Sequence, residues 1–216
     1  MDTPMAGVTG VDDEGCPCPA PRRERRDAAE HRQRILAVAR SLFGARGVDG
    51  VTMRQVARAS GVGQGTLYRR YAHKGLLCMD LLGDSIARLQ ADIEEAPAAA
   101  SALAGLDALL ARLIAFNEEN GPLLAAVVDA ACGDRRASMY RGPFYSWLRA
   151  TVAGLLERAA ATGECGPLDA PYTADAILAA LAIDLYTYQR HEQGYTPARI
   201  AGAIRRLYVD GLRAAP

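Results

Sequence analysis

Apolar residues recur every three to four positions along most of the chain, and no segment alternates for long enough to predict a strand. Ile35, Ala39, Leu42 and Phe43 form one such stripe. Ahead of it, Asp27-Ala-Ala-Glu30 has capping-box spacing, and behind it Gly47 is a natural left-handed stop, so a first helix is predicted over about 27–45. Thr52-Met-Arg-Gln55 is a second capping box. It opens a short helix with Met53, Val56 and Ala57 inward, which Ser60-Gly61-Val62-Gly63 ends. Gln64 to Tyr71 predicts another short helix with Leu67 and Tyr71 on one side. A longer one runs from about Lys74 to Glu95, with Leu82, Ile86, Leu89 and Ile93 as its stripe, and Pro97 closes it. Further helices are expected at about 99–119, 122–131 and 143–162, with Pro122 and Pro143 in first turns. A loop from Gly163 to Pro171 precedes a helix capped by Thr173 and running to about His191. Thr196-Pro197 starts the last, to about Arg213. The fold class is all-α, with about nine helices.

Composition changes this picture at one place. The chain has 216 residues, half of them hydrophobic, and is formally neutral with 25 basic and 25 acidic side chains. From Arg22 to Lys74, however, thirteen basic residues face four acidic ones, leaving the rest with twelve basic against twenty-one acidic. A basic block of net +9 beside an acidic remainder of net −9 points to an electrostatic partner at one end. No apolar run approaches the eighteen or so residues that span a bilayer. The N-terminus, with Asp2, Asp12, Asp13 and Glu14, does not read as a signal peptide. Cys16, Cys18, Cys78, Cys132 and Cys165 with His31, His73 and His191 lack the paired spacing of a zinc site. No metal or cofactor is therefore expected, and a reduced, cytoplasmic location is the simplest reading.

Two short helices joined at Gly61 inside the basic block have the form of a helix-turn-helix. Small Ala57 would let the helices cross closely, and Val62 and Leu67 would lock the pair onto the helix at 27–45. The second short helix would then expose Gln64, Thr66, Tyr68, Arg69 and Arg70, donors of the kinds that reach base edges and phosphates. The stretch from Gly50 to Lys74 resembles the DNA-binding signature of TetR-type transcriptional regulators, and Ile35 to Gly47 resembles that family's first helix. The matching positions are Thr52, Val56-Ala57, Gly61-Val62, the Gly-Thr-Leu-Tyr run and Lys74. Two positions depart from the family pattern: Gly63 stands where a capping serine is usual, and Gly75 where an acidic residue usually follows the lysine.

Residues 1–26, with Pro4, Pro17, Pro19 and Pro21 and an ending of Arg22, Arg23, Arg25 and Arg26, read as a flexible tail from composition, and the resemblance implies a helix-turn-helix domain over 27–74 and a ligand-binding and dimerisation domain over 75–216. It implies that Thr52, at a helix N-terminus, binds phosphate through its hydroxyl and nearby amides, and that Arg54 and Gln64 read base edges. Gly65 and Thr66 would let the helix approach the groove, Tyr68, Arg70 and Lys74 would hold phosphates, and Arg69 would face a base or the backbone. In the remainder, Phe116, Asn117, Tyr140, Phe144, Tyr145 and Trp147 are candidates to line a small-molecule pocket, with Glu118, Asp129 and Arg149 as polar neighbours. Ala179, Ala180, Leu181, Ile183 and Leu185, then Ile200, Ile204, Leu207 and Leu212, would form a homodimer interface on the two C-terminal helices. Asp184 interrupts that apolar run and would pair with an arginine such as Arg205 or lie exposed. The expected partners are double-stranded DNA carrying a palindromic operator, an unidentified small-molecule effector and a second copy of the chain. The expected function is a repressor released from its operator by that effector. A regulator without an effector, an activator and a small helical enzyme are the rival readings. No phosphate loop, nucleophile elbow or paired histidines favour the last.

Overall fold

A computed structural model describes residues 21–96, 99–131 and 139–214, and of residues 21–28 the backbone alone. The helices are α1 (Pro21–Arg46), α2 (Met53–Ser60), α3 (Gln64–Arg70), α4 (Lys74–Glu94), α5 (Ala102–Asp129), α6 (Pro143–Ala161), α7 (Ala170–Ala180), α8 (Ile183–His191) and α9 (Pro197–Arg205). A π turn, Arg206–Asp210, extends α9. The described residues form no strand, only an isolated bridge between Cys165 and Arg213.

Four helix boundaries differ from the sequence expectation. Helix α1 begins at Pro21, so Asp27 lies inside it and starts nothing. Proline at a first position is pre-organised, and the Arg, Glu and Ala residues that follow are good helix formers. The expected tail therefore shrinks, and residues 1–20 lie outside the described residues. Second, α5 is one 28-residue helix that passes through Pro122 rather than two helices. Buried Phe116, Asn117 and Asn120 before the proline and Ala126 and Val127 after it hold both halves against neighbouring elements. That packing outweighs the one backbone bond that proline forfeits.

Third, α7 starts at Ala170, because the Asp169 side chain accepts from the Tyr172 amide and Pro171 occupies the first turn. Thr173 is already inside, its hydroxyl donating to the Asp169 carbonyl at 2.7 Å. Fourth, the expected helix to His191 breaks at Leu181-Ala182, where the buried Asn117 amide donates to the Leu181 carbonyl at 3.0 Å. The cap at Thr196 stands as expected, its side chain accepting from the Arg199 amide.

Two hydrophobic cores result. The N-terminal one joins Ile35, Ala39, Phe43, Val56 and Leu67 with Leu77, Leu81 and Leu82 of α4 and Ala126 and Val127 of α5. The larger one is built from α5 to α9 and takes Leu89 from α4. Helix α4 thus runs from one core into the other, and Lys74 marks the end of a motif rather than of a packing unit. Glu164 braces the second core from the loop after α6, accepting from the first-turn amides Ala102 N at 2.8 Å and Leu103 N at 3.0 Å. Those two amides, and Ser101 after them, hold its carboxyl down to about 2.

Gly75 explains its own departure from the family pattern. A Cβ at this residue would lie 2.5 Å from the Ala130 Cβ and 3.1 Å from the Ala126 carbonyl oxygen, so only glycine lets α4 start against the end of α5. Gly75→Ala should therefore cost about 1–3 kcal/mol by overpacking, despite the roughly 1 kcal/mol that alanine gains in helix propensity. Urea denaturation checks this: a variant as stable as the parent would mean that the two helices separate freely.

Candidate nucleic-acid interface

Helix α2 begins with the predicted reciprocal cap. The Thr52 hydroxyl oxygen accepts from Gln55 N at 3.3 Å, and Thr52 N donates to Gln55 Oε1 at 2.8 Å. The hydroxyl also donates to Gln55 Oε1 at 3.1 Å. Its proton is therefore engaged inside the protein. What α2 offers an anion here is its orphan first-turn amides.

The helix stops at Gly61, which takes φ 68° and donates its N–H to Ala57 O and Arg58 O. That left-handed step costs glycine nothing. Ser60, buried, closes the turn by donating its hydroxyl to Val56 O at 2.8 Å. Gly63 then caps α3 without a side-chain bond, the consequence of glycine standing where serine is usual.

Helix α3 is seven residues long, and Leu67 is its one buried side chain. Leu67 is 0% exposed and Ala57 1% exposed, as the predicted close crossing requires. Gln64, Gly65, Tyr68, Arg69 and Arg70 are exposed, and Thr66 is half-buried. A Cβ at Gly65 would meet nothing within 4 Å, so no internal packing demands a glycine there. On α2, Arg54 and Arg58 are exposed as well. Arg54, Arg58 and Arg69 have no acidic partner among the described residues. Lys74 differs from expectation, because its Nζ donates to the Val48 carbonyl at 2.8 Å and ties the loop after α1 to the start of α4.

Sequence reasoning missed the residue that joins these elements. Asp80 on α4 accepts from Arg32 Nε of α1 at 2.9 Å, and its other oxygen takes a second Arg32 nitrogen. The same carboxylate accepts the Tyr71 hydroxyl at 2.5 Å. Tyr71 caps the end of α3, is 4% exposed and lies under the Arg70 guanidinium at 5.9 Å. One carboxylate therefore pins the first helix and the end of α3 to α4. A second pair, Arg40–Asp84 at 3.3 Å, repeats the α1–α4 match on the surface. The only signal in the sequence was spacing: cations two turns apart on α1 and anions one turn apart on α4.

The C-terminal candidates divide in the same way. Phe116 and Asn117 are each 5% exposed and belong to the core. Phe116 packs on Phe144 with ring centroids 5.8 Å apart, and Phe144 stacks on Trp147 at 6.2 Å. Trp147 Nε1 donates to Glu94 of α4 at 3.1 Å. Of the six, Tyr140 and Tyr145 line a groove between the start of α6 and α7. Glu118 is occupied by Arg190 Nε at 2.7 Å and by the Tyr186 hydroxyl at 2.8 Å, and Asp129 is exposed. In the expected interface, Leu181, Ile200 and Ile204 are buried in their own subunit's core. Leu185, Tyr188 and Leu207 are the exposed large apolar side chains of α8 and the last turn. Asp184 is exposed, while Arg205 lies 3.7 Å from Asp107 and 3.8 Å from Asp210.

Among the described residues no group of three or more His, Cys, Asp or Glu could hold a metal ion. No described helix is long and apolar enough to cross a membrane.

The helix-turn-helix coincides with a known signature, for the family described as "Bacterial regulatory proteins, tetR family" matches residues 35–77. Over residues 35–77 the chain is similar to that family. An HTH-type transcriptional regulator of Staphylococcus aureus (strain USA300) is 30% identical over 131 residues, covering 57% of this chain and 66% of that relative, just under two thirds. A second, from the bovine strain RF122 of the same species, is 46% identical over 54 residues, covering 25% of this chain and 29% of that relative. Among solved structures, a TetR/AcrR regulator from Thermobifida fusca superposes with TM-score 0.61 at 18% identity, covering 86% of this chain and all of that one. The transcriptional regulator FadR from Bacillus subtilis, solved with stearoyl-CoA, gives TM-score 0.61 at 18% identity over 84% of this chain and 99% of that one. At such identities the likeness speaks for the tetR-family fold, an N-terminal helix-turn-helix followed by a helical domain. The family consists of transcriptional regulators rather than enzymes.

Proposed function

We propose that this chain is a sequence-specific DNA-binding transcriptional regulator that acts as a homodimer, a repressor released from a palindromic operator by a small-molecule effector. The observation that carries this reading is α3 itself. It is a short helix anchored by one buried leucine, with Gln64, Gly65, Tyr68, Arg69 and Arg70 all turned outward. A solvated surface has no need of a glycine facing open space beside Arg69, a cation with no acidic partner among the described residues. A DNA major groove supplies a reason for both.

Arg54 and Gln64 then read base edges, and Gly65 and Thr66 let the helix approach closely. Thr52, through its first-turn amides, with Tyr68 and Arg70, holds phosphates. Arg69 faces a base or the backbone. Lys74, with one donor committed to Val48, has others to offer a phosphate. The exposed apolar residues Leu185, Tyr188 and Leu207 favour pairing of two copies through the C-terminal helices. Such a dimer would place two recognition helices about 34–36 Å apart. The effector reading draws on the aromatic and polar candidates in the second core and in the groove beside it, and on the stearoyl-CoA held by FadR. A regulator of this kind works in the cytoplasm, where the chromosome is.

Selection of random duplex DNA by the purified chain at near-physiological salt tests the reading. Enrichment of a two-fold symmetric site is expected, and recovery of unspecific DNA alone would sink it. On the selected site, Arg54→Ala and Gln64→Ala should each lose about 1–3 kcal/mol, or roughly five- to 150-fold in affinity. Binding to random DNA should hardly change. Equal losses on both kinds of DNA would contradict base reading.

A further inference from the structure

The groove beside α6 has a chemistry of its own. It is open and encloses about 660 Å³, within the roughly 300–1,000 Å³ typical of small-molecule sites. Tyr140 and Arg141 enter it from the turn before α6, Tyr145, Ser146 and Arg149 from one face of α6, and Asp175 from α7.

A single carboxylate oxygen organises the wall. Asp175 Oδ1 accepts the Tyr145 hydroxyl at 2.9 Å and Arg149 Nε at 2.8 Å. The Arg149 guanidinium is thereby oriented through one edge. Its two terminal nitrogens have no hydrogen-bond partner among the described residues, and the side chain is 40% exposed. Arg141 is exposed and has no acidic partner among the described residues. The lining thus holds two guanidinium groups against one carboxylate, and that carboxylate is already engaged twice. Beside these charges Tyr140 and Tyr145 meet edge to face, with centroids 5.0 Å apart and planes at 81°. Tyr140 is 56% exposed, so its ring is available as a surface and not consumed by packing.

We propose that this groove is a binding site for an organic anion, with a carboxylate or similar planar anionic group on Arg141 and Arg149 and a flat apolar body against Tyr140 and Tyr145. Guanidinium groups bind planar anions through paired N–H donors, and an oriented one forfeits less freedom on binding. A cation would meet two like charges and a carboxylate whose lone pairs are partly spent. The proposal rests on the effector reading above and names the chemical class of ligand.

Three probes of one shape separate charge from apolar contact: 2-naphthoate, 2-naphthamide and 2-naphthylmethylammonium, titrated calorimetrically into the full chain. The carboxylate should bind at least about tenfold more tightly than the amide, and the ammonium most weakly. Arg141→Gln, at an exposed position, should remove most of that preference and leave the amide's affinity unchanged. Arg149→Lys should weaken the carboxylate too, since a lysine keeps the charge but not the fork. Undetectable binding of 2-naphthoate at millimolar concentration, an amide that binds equally well, or an Arg141→Gln variant with the parent's preference would each overturn the proposal. Operator occupancy measured alongside keeps the two readings apart. Charge-selective binding that leaves the operator bound would retain the groove site and remove the effector role. Charge-selective binding by a chain that selects no operator would retain the site and remove the regulator reading.

Discussion

Leu67→Ala is expected to cost the N-terminal unit about 2–5 kcal/mol, the usual range for emptying a buried leucine site. Leu67 is 0% exposed and packs among Ile35, Val56 and Ala57. The effect should not stop at stability. Helix α3 has seven residues and no other buried side chain. A helix that short does not persist alone in water, so its conformation depends on this anchor. Loss of the anchor should loosen the helix that presents Gln64 and Arg69 even in molecules that remain folded. Denaturation in urea should show a lower midpoint. Hydrogen exchange in the native state should show α3 opening at lower free energy than α1 or α4. If α3 amides keep the parent's protection, the single-anchor account is wrong.

Asp80→Asn is the second large effect, because it touches three elements at once. The carboxylate holds both Arg32 and Tyr71, and the variant leaves a guanidinium without its counter-charge. The Asp80 side chain is 24% exposed and that of Arg32 43% exposed, so water screens part of the pair. A loss of about 1–2 kcal/mol near neutral pH is expected after that discount. The sign of the pH dependence follows from the carboxyl. The Arg32 hydrogen bond, and the Tyr71 hydroxyl after it, hold Asp80 below its ordinary value against the opposing effect of burial. A folded-state value below the unfolded one means that the stabilisation is fully present above the unfolded value, about 3.9. It is then lost as pH falls through the lower folded value. Parent and Asp80→Asn should therefore differ most above pH 4 and converge in stronger acid. A constant difference down to pH 2 would show that Asp80 acts by shape and not by charge. Tyr71→Phe, which keeps the buried ring and removes only the hydroxyl, should reproduce the smaller share of the effect.

These two residues describe how the DNA-binding unit is held. Leu67 fixes α3 from below, and Asp80 fixes its end to α4. Because α4 also contributes Leu89 to the second core, a displacement of α4 would carry Asp80, Tyr71 and the end of α3 with it. That geometry is a physical route by which binding in the second core could alter DNA affinity. The free energy available to it is limited to the ligand's preference for one arrangement over the other.

The sequence by itself determined the features whose causes are local. Thr52 and Gln55 satisfy each other's backbone groups within one turn, Gly61 takes a left-handed angle that other residues avoid, and Thr196-Pro197 starts a helix, each through neighbours a few residues away. The exposed residues of α3 were legible for the same reason, since helical period alone sets which side is opposite Leu67. Tertiary structure decided the rest. Pro122 reads as a boundary, yet contacts on both sides carry α5 through it. A helix expected to be continuous breaks at Leu181 because Asn117, 64 residues away in sequence, donates to its carbonyl. Ile200 and Ile204 read as residues of a dimer interface, yet the packing of α9 against α5 puts them inside their own subunit. Gly75 looked like a lapse from a family pattern until Ala126 and Ala130 filled the space where a side chain would go. Asp80 joins residues from three separate helices. Periodicity reports which face of a helix is buried, but the partner across that face is chosen by how whole helices dock, and that choice is not written within any one turn.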